Sequence, residues 1–158
     1  MHAQTKQNLD RLKQGFLFWN KYRDEANIPT GMLDLSDLEI DGRYWRFNEL
    51  KNANLGNCLF RKTTFRDIDF LDIDFSNADF SHASFINVHF SHCHFSGSSF
   101  EKALFQKTAW YHSDLKEVDF TQAKQLETLY FYRCTFQKNA LHTLNLPEEI
   151  FEECIFEK

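Results

Sequence analysis

The sequence predicts a mainly β solenoid, a rod whose chain turns once in every five residues around an aromatic interior. Three observations carry this reading. Apolar residues recur at every fifth position over eighteen consecutive steps: Leu35, Ile40, Trp45, Leu50 and Leu55, then ten successive Phe spaced from position 60 to position 105, then Trp110, Leu115 and Phe120. The residue two before each of these is mostly small or compact, as in Ala53, Cys58, Thr63, Ala78, Ala83, Val88, Cys93, Ser98 and Ala103. The other three positions of each unit are largely polar. A period of five suits neither regular structure alone. Five helical residues rotate a side chain by about 140°, which makes no stripe. On a straight strand, residues five apart face opposite ways. The pattern survives only if each unit is a short extended segment followed by a turn. Each unit then sends one large and one small side chain inward, and these pack as alternating volumes.

Composition bounds the rest. At 158 residues the chain has the length of one domain, and 42% apolar content separates it from disordered chains. A net charge of −5 disfavours a general nucleic-acid binder, which needs a basic surface to neutralise phosphates. No apolar run approaches the ~20 residues that span a membrane, and the N-terminal stretch MHAQTKQNLDRLKQG has no apolar leader core. A cytoplasmic location is therefore expected, with Cys58, Cys93, Cys134 and Cys154 as reduced thiols. All four stand at the small inward position of a unit, where a thiol is a packing group. None forms a CxxC pair, so a zinc ribbon has no support.

Both ends depart from the repeat. Leu9, Leu12, Phe16 and Trp19 follow helical spacing and predict one helix over residues 5–26, ended by Pro29 and Gly31. A solenoid exposes its apolar interior at each end and needs a cap, and this helix is the expected N-terminal one. The division is thus 1–31 for capping helix and linker and 32–158 for the solenoid, in a single domain. After Phe120 the register slips by one, with Leu126, Phe131 and Phe136 resuming the period, which predicts a one-residue bulge at 123–125. Cys134-Thr135-Phe136 recurs as Cys154-Ile155-Phe156. That pattern suggests a last coil after a loop at 144–149. A capping helix starting at Pro147, followed by two Glu, is the competing reading.

Units such as ANLGN, ADFSN and ASFIN resemble those of the pentapeptide-repeat family, over roughly residues 35–136. The stretch LKQGFLFWNKYR is similar to the segment that precedes the first unit in many members, with Tyr22 where Trp is common. The resemblance implies a right-handed quadrilateral β-helix with an N-terminal capping α-helix. Four units per coil give ~20 residues per turn, with coils stacked at the inter-strand spacing of ~4.8 Å. Phe60, Phe80, Phe100 and Phe120 would then form one column, and Phe70, Phe90 and Trp110 another.

That stacking arranges the outward residues too. His89 is expected over Asp69, His92 over Asp72 and His94 over Asp74. Imidazole with carboxylate suits zinc or nickel, which makes His92, His94, Asp72 and Asp74 a candidate surface metal site. The alternative is a set of solvated His–Asp pairs, each worth little. Tyr44, Phe47, Ile86 and Leu104, outward and apolar, share or border one face and form a candidate partner surface.

No nucleophile motif, phosphate loop or dinucleotide fingerprint is present, and no cofactor is implied. A filled solenoid offers long faces and no enclosed pocket. The expected function is a non-enzymatic protein-binding or scaffolding module, monomeric or homodimeric, with a protein partner and no direct nucleic-acid or membrane contact. The alternative comes from the resemblance. Some pentapeptide-repeat proteins mimic duplex DNA, bind type II topoisomerases such as DNA gyrase and confer quinolone resistance. This chain shares the rod and the acidity, but Arg61, Lys62, Arg66, Lys102 and Lys107 interrupt a negative surface.

Overall fold

A computed structural model describes residues 3–26, 33–43, 51–137 and 148–157. Every strand pairing in it is parallel, as a chain that advances one coil per turn requires. The strands in order are β1 (Glu39–Asp41), β2 (Thr64–Leu71), β3 (Ser84–Ser91), β4 (Leu104–Tyr111), β5 (Asp114–Leu115), β6 (Lys124–Gln125), β7 (Leu129–Tyr132), β8 (Thr135–Gln137), β9 (Phe151–Glu152) and β10 (Ile155–Glu157). One stack runs β1-β2-β3-β4-β7-β9, with β6 also on β4, and a second runs β5-β8-β10.

The four-unit coil is confirmed through its middle. Phe65 pairs with Phe85 and Phe85 with Phe105, while Phe70 pairs with Phe90 and Phe90 with Trp110. Five-residue units close into a coil because the second residue after each interior ring takes a left-handed conformation. Lys62, Asp67, Asp72, Asn77, His82, Asn87 and His92 all have φ between 53° and 60°. That corner resets the side-chain direction at a cost of roughly 1–2 kcal/mol per residue, except where Gly or Asn eases it. The interior offsets this cost. Phe65, Phe80, Phe85, Phe95 and Phe100 are all within 1% of complete burial. Each buried ring contributes roughly 2–3 kcal/mol. Within a column the rings lie nearly parallel, as with Phe80 and Phe100 at 4.8 Å and 10°. Between columns they meet edge to face, as with Phe70 and Phe75 at 5.3 Å and 90°. Both geometries suit the ring quadrupole.

Two registers depart from twenty. Ile40 of β1 pairs with Phe65, twenty-five residues on. Gly42 then passes so close to the next coil that a Cβ there would sit 2.0 Å from the Asp67 carbonyl oxygen. The second departure corrects the expected bulge. Lys124 and Gln125 keep the twenty-residue register with Leu104 and Phe105, and the Leu126 amide still donates to the Phe105 carbonyl at 2.7 Å. Leu129 pairs with Thr108, so the extra residue falls within 126–128. Leu126 is 57% exposed and does not rejoin the core, whereas Phe131 and Phe136 do.

The predicted single helix is two, α1 (Ala3–Leu12) and α2 (Phe16–Ala26). Gly15, at φ 93°, takes a turn that other residues avoid, and its amide donates to the Leu12 carbonyl. Leu9, Leu12 and Trp19 join the same hydrophobic core as the solenoid rings, and the side chain of Phe16 lies outside the described set. The helices cap the first coil by satisfying its backbone. Trp19 Nε1 donates to the Asn54 carbonyl at 2.6 Å, Asn20 Nδ2 to that of Asn52, and the Asn54 amide to Asn20 Oδ1. Asn8 Nδ2 donates to the Asp34 carbonyl. At the other end a last coil forms. A 3₁₀ turn, Glu148–Ile150, leads into β9 and β10, whose Phe151 and Phe156 stack on Phe131 and Phe136. The start of the competing helix, Pro147, lies outside the described residues.

Candidate functional site

With the interior filled by rings, whatever the chain recognises meets its outward residues. The side built by β2, β3, β4, β7 and β9 is the most distinctive. Two outward positions alternate along each of these strands. The first carries Asp69, His89, Ala109 and Tyr130 in register, and the second carries Leu71, Ser91, Tyr111, Tyr132 and Glu152. The left-handed corner that follows carries Asp72, His92, His112, Arg133 and Glu153.

These side chains form a connected aromatic strip. His89 Nδ1 meets Asp69 Oδ1 at 2.8 Å, which anchors the ring. His89 then contacts Tyr111 at 6.3 Å, Tyr111 contacts Tyr130 at 6.4 Å, and Tyr130 lies 9° from parallel with Tyr132 at 6.5 Å. The His92 and His112 rings stack at 5.0 Å and 8°. His112 meets the Tyr132 ring at 5.7 Å nearly edge-on. The far end is held by charge. The Tyr130 hydroxyl donates to Glu152, and this bond pushes its phenol up to about 12. The Arg133 guanidinium lies 4.9 Å over the Tyr132 ring and bonds Glu153 at 2.6 Å. Tyr111, Tyr130 and Tyr132 are half-buried and Leu71 is 40% exposed, so the strip is packed against its neighbours and still reachable.

Tyr130 and Tyr132 were missed by sequence reading. Counted at twenty residues they fall beside Trp110 and His112; only the extra residue at 126–128 brings them against Ala109 and Tyr111. The interior ring at Phe131 was the available signal, since its two flanking tyrosines must point outward.

Of the candidate metal ligands, Asp72, His92 and His94 line one groove of about 520 Å³ with Asn52 and His112. Asp74 pairs in register with His94 but is not part of that lining, and its Oδ1 accepts from the Ser76 amide at 2.9 Å. Asp72 pairs with Lys51 at 3.3 Å, and His92 is stacked on His112. Among the described residues no three His, Cys, Asp or Glu side chains are arranged to hold a metal ion. Of the candidate partner surface, Ile86 and Leu104 sit half-buried on the neighbouring side, where they face Gln106 and Ser84 across one inter-coil step. Tyr44 and Phe47 lie outside the described residues. Cys58, Cys93 and Cys134 are buried, and burial pushes the first two thiols up to about 12, as packing groups require.

No helix among the described residues is long and apolar enough to cross a membrane. No curated protein matches the chain. Among solved structures it is similar to a pentapeptide repeat protein, Rfr23, from the cyanobacterium Cyanothece 51142. The TM-score is 0.53 at 14% identity, covering 87% of this chain and 97% of the other. It also matches full-length QnrB1, a plasmid-mediated fluoroquinolone resistance protein, at a TM-score of 0.36 and 14% identity, over 79% of this chain and 70% of that one. A family model of pentapeptide repeats, in nine copies, matches residues 45–104. Residues 45–104 thus carry pentapeptide repeats, and units of the same length continue beyond that match to Phe120 on coils of the same twenty-residue register.

Proposed function

We propose that this chain is a non-enzymatic binding protein that holds a protein partner against its tyrosine–histidine side. The observation that carries this reading is the connected strip of His89, Tyr111, His112, Tyr130 and Tyr132 on paired parallel strands. Tyrosine supplies large contact area with one polar tip and little entropy to lose, and it is enriched with Arg where protein interfaces concentrate their energy. A rigid sheet also spares the ordering cost that a flexible loop incurs on binding.

The alternative, a DNA-like surface for a type II topoisomerase, calls for continuous negative charge. The corner column here reads Asn52, Asp72, His92, His112, Arg133 and Glu153, and so changes character from coil to coil. Affinity capture from the native extract tests the proposal with two variants beside the unaltered protein. Tyr111→Ser with Tyr132→Ser alters the strip, and Glu101→Gln with Thr121→Ala alters the far side. The strip variant is expected to retain a specific partner at least about tenfold less well, the far-side variant equally well. Equal retention by both would overturn the proposal. Inhibition of gyrase supercoiling, unaffected by the strip variant, would replace it with the mimicry reading.

A further inference from the structure

The structure assigns Cys134 and Cys154 as a redox pair that closes into a disulfide and staples the last coil to the rod. The two cysteines occupy the same inward position on successive coils. Thr135 pairs with Ile155 and Phe136 with Phe156, and the Ile155 amide donates to the Cys134 carbonyl at 2.9 Å. Cα atoms in direct register on neighbouring strands lie ~4.8 Å apart, inside the 4.4–6.8 Å that disulfides span. The Cβ atoms need to approach by no more than about 1 Å. The two thiols also take the same direction from their strands, Cys134 Sγ donating to the Tyr132 carbonyl and Cys154 Sγ to the Glu152 carbonyl, each at 3.5 Å.

The other two thiols have no such neighbour. Cys93 is followed in its column by Ser113, whose hydroxyl accepts from the Cys93 amide, and Cys58 belongs to a different side of the coil. Access differs as well. Cys134 is fully buried, whereas Cys154 is half-buried on a coil that, among the described residues, pairs on one side only. Phe151 and Phe156 on that coil are also only partly buried, so its strands can make the small approach that closure needs. The greater exposure of Cys154 marks it as the attacking sulfur, and beside its neighbour its thiol is lowered while that of Cys134 is raised.

The oxidant is a peroxide. The Cys154 thiolate attacks one peroxide oxygen, the O–O bond breaks, and sulfenic acid forms while hydroxide leaves and takes a proton as water. The Cys134 sulfur then attacks the sulfenic sulfur. The S–O bond breaks, and a second water leaves with the Cys134 proton. Two thiols lose two electrons in all, and hydrogen peroxide becomes two waters. The bond encloses the segment between 134 and 154 and fixes Glu152 and Glu153 against Tyr130 and Arg133.

The test exposes the folded, reduced protein to hydrogen peroxide, then alkylates it in denaturant and maps the peptides. Two of the four thiols are expected to escape alkylation, in one intramolecular peptide pair joining 134 to 154 that dithiothreitol releases. In Cys134→Ser, Cys154 is expected to accumulate as sulfenic acid trapped by dimedone. Should that variant not fold, Cys154→Ser alters only the half-exposed member. It is expected to leave the remaining three thiols alkylated after the same exposure. Four alkylated thiols in the unaltered protein, under peroxide that oxidises a control dithiol, overturn the assignment. So does over-oxidation of Cys154 beside a free Cys134, or linkage found only between chains.

Discussion

Phe90 lies between Phe70 and Trp110, with centroids 5.2 and 4.9 Å away and rings 8° and 21° from parallel. A ring held on both sides by neighbours that are themselves fully packed leaves a cavity that cannot collapse when it is removed. Phe90→Ala is therefore expected to cost about 3–5 kcal/mol in urea unfolding. Ser98 gives the opposite expectation. It occupies the small inward position, 1% exposed, and its hydroxyl has no hydrogen-bond partner. Its counterpart one coil before is Ala78, so the space suits a methyl group. Ser98→Ala is expected to be neutral or to stabilise by up to about 1 kcal/mol, because an unsatisfied buried hydroxyl is lost without a cavity. A loss above that range would show that the hydroxyl is bonded. The direction of both side chains was legible from the five-residue period. The unsatisfied state of Ser98 Oγ and of Trp110 Nε1 was not, since it depends on which carbonyls the neighbouring coils turn inward.

At the scale of elements, the solenoid's first edge is the exposed hazard, because a parallel stack leaves a row of unpaired backbone groups at each end. The two helices answer it with side chains rather than another strand. Trp19 is fully buried, and its Nε1 donates to the Asn54 carbonyl at 2.6 Å. Trp19→Phe keeps most of the apolar contact and removes the donor, so an expected loss of about 1–3 kcal/mol measures the orphaned carbonyl. A wholly neutral result would mean that water reaches Asn54. Helical spacing announced the cap and its buried face. It did not announce the break, because Gly15 inside a helical pattern costs little enough to be read through. The bulge was misplaced for a related reason. Leu126 looks like a core residue by type, but the ladder bond from its amide to Phe105 holds it in the old register, with its side chain in solvent.

At the scale of the molecule, a rod in which each coil touches only its neighbours has a stability profile along its axis. β3 is paired on both sides over its length, whereas among the described residues β10 pairs only with β8. The twenty-residue coil made that order legible. The twenty-five-residue step between β1 and β2 was hidden, since one whole extra unit leaves a period of five unchanged. Tyr130 and Tyr132 were hidden by the opposite kind of step, a single residue that shifts every later neighbour. Hydrogen exchange reads the profile directly. Amides of β3 are expected to exchange slowest, and those of β10 fastest among the strands of the last three coils. Phe156→Ala, at the end, is expected to lower protection in β10 and β8 while leaving β3 within about twofold. Phe90→Ala, in the middle, is expected to lower it at least about tenfold in both β2 and β4, because each loses its partner when the coil between them opens. Equal loss along the whole rod from either substitution would show one all-or-none unit, and would place the strength of the fold in the continuity of its ring columns rather than in pairwise contacts between coils.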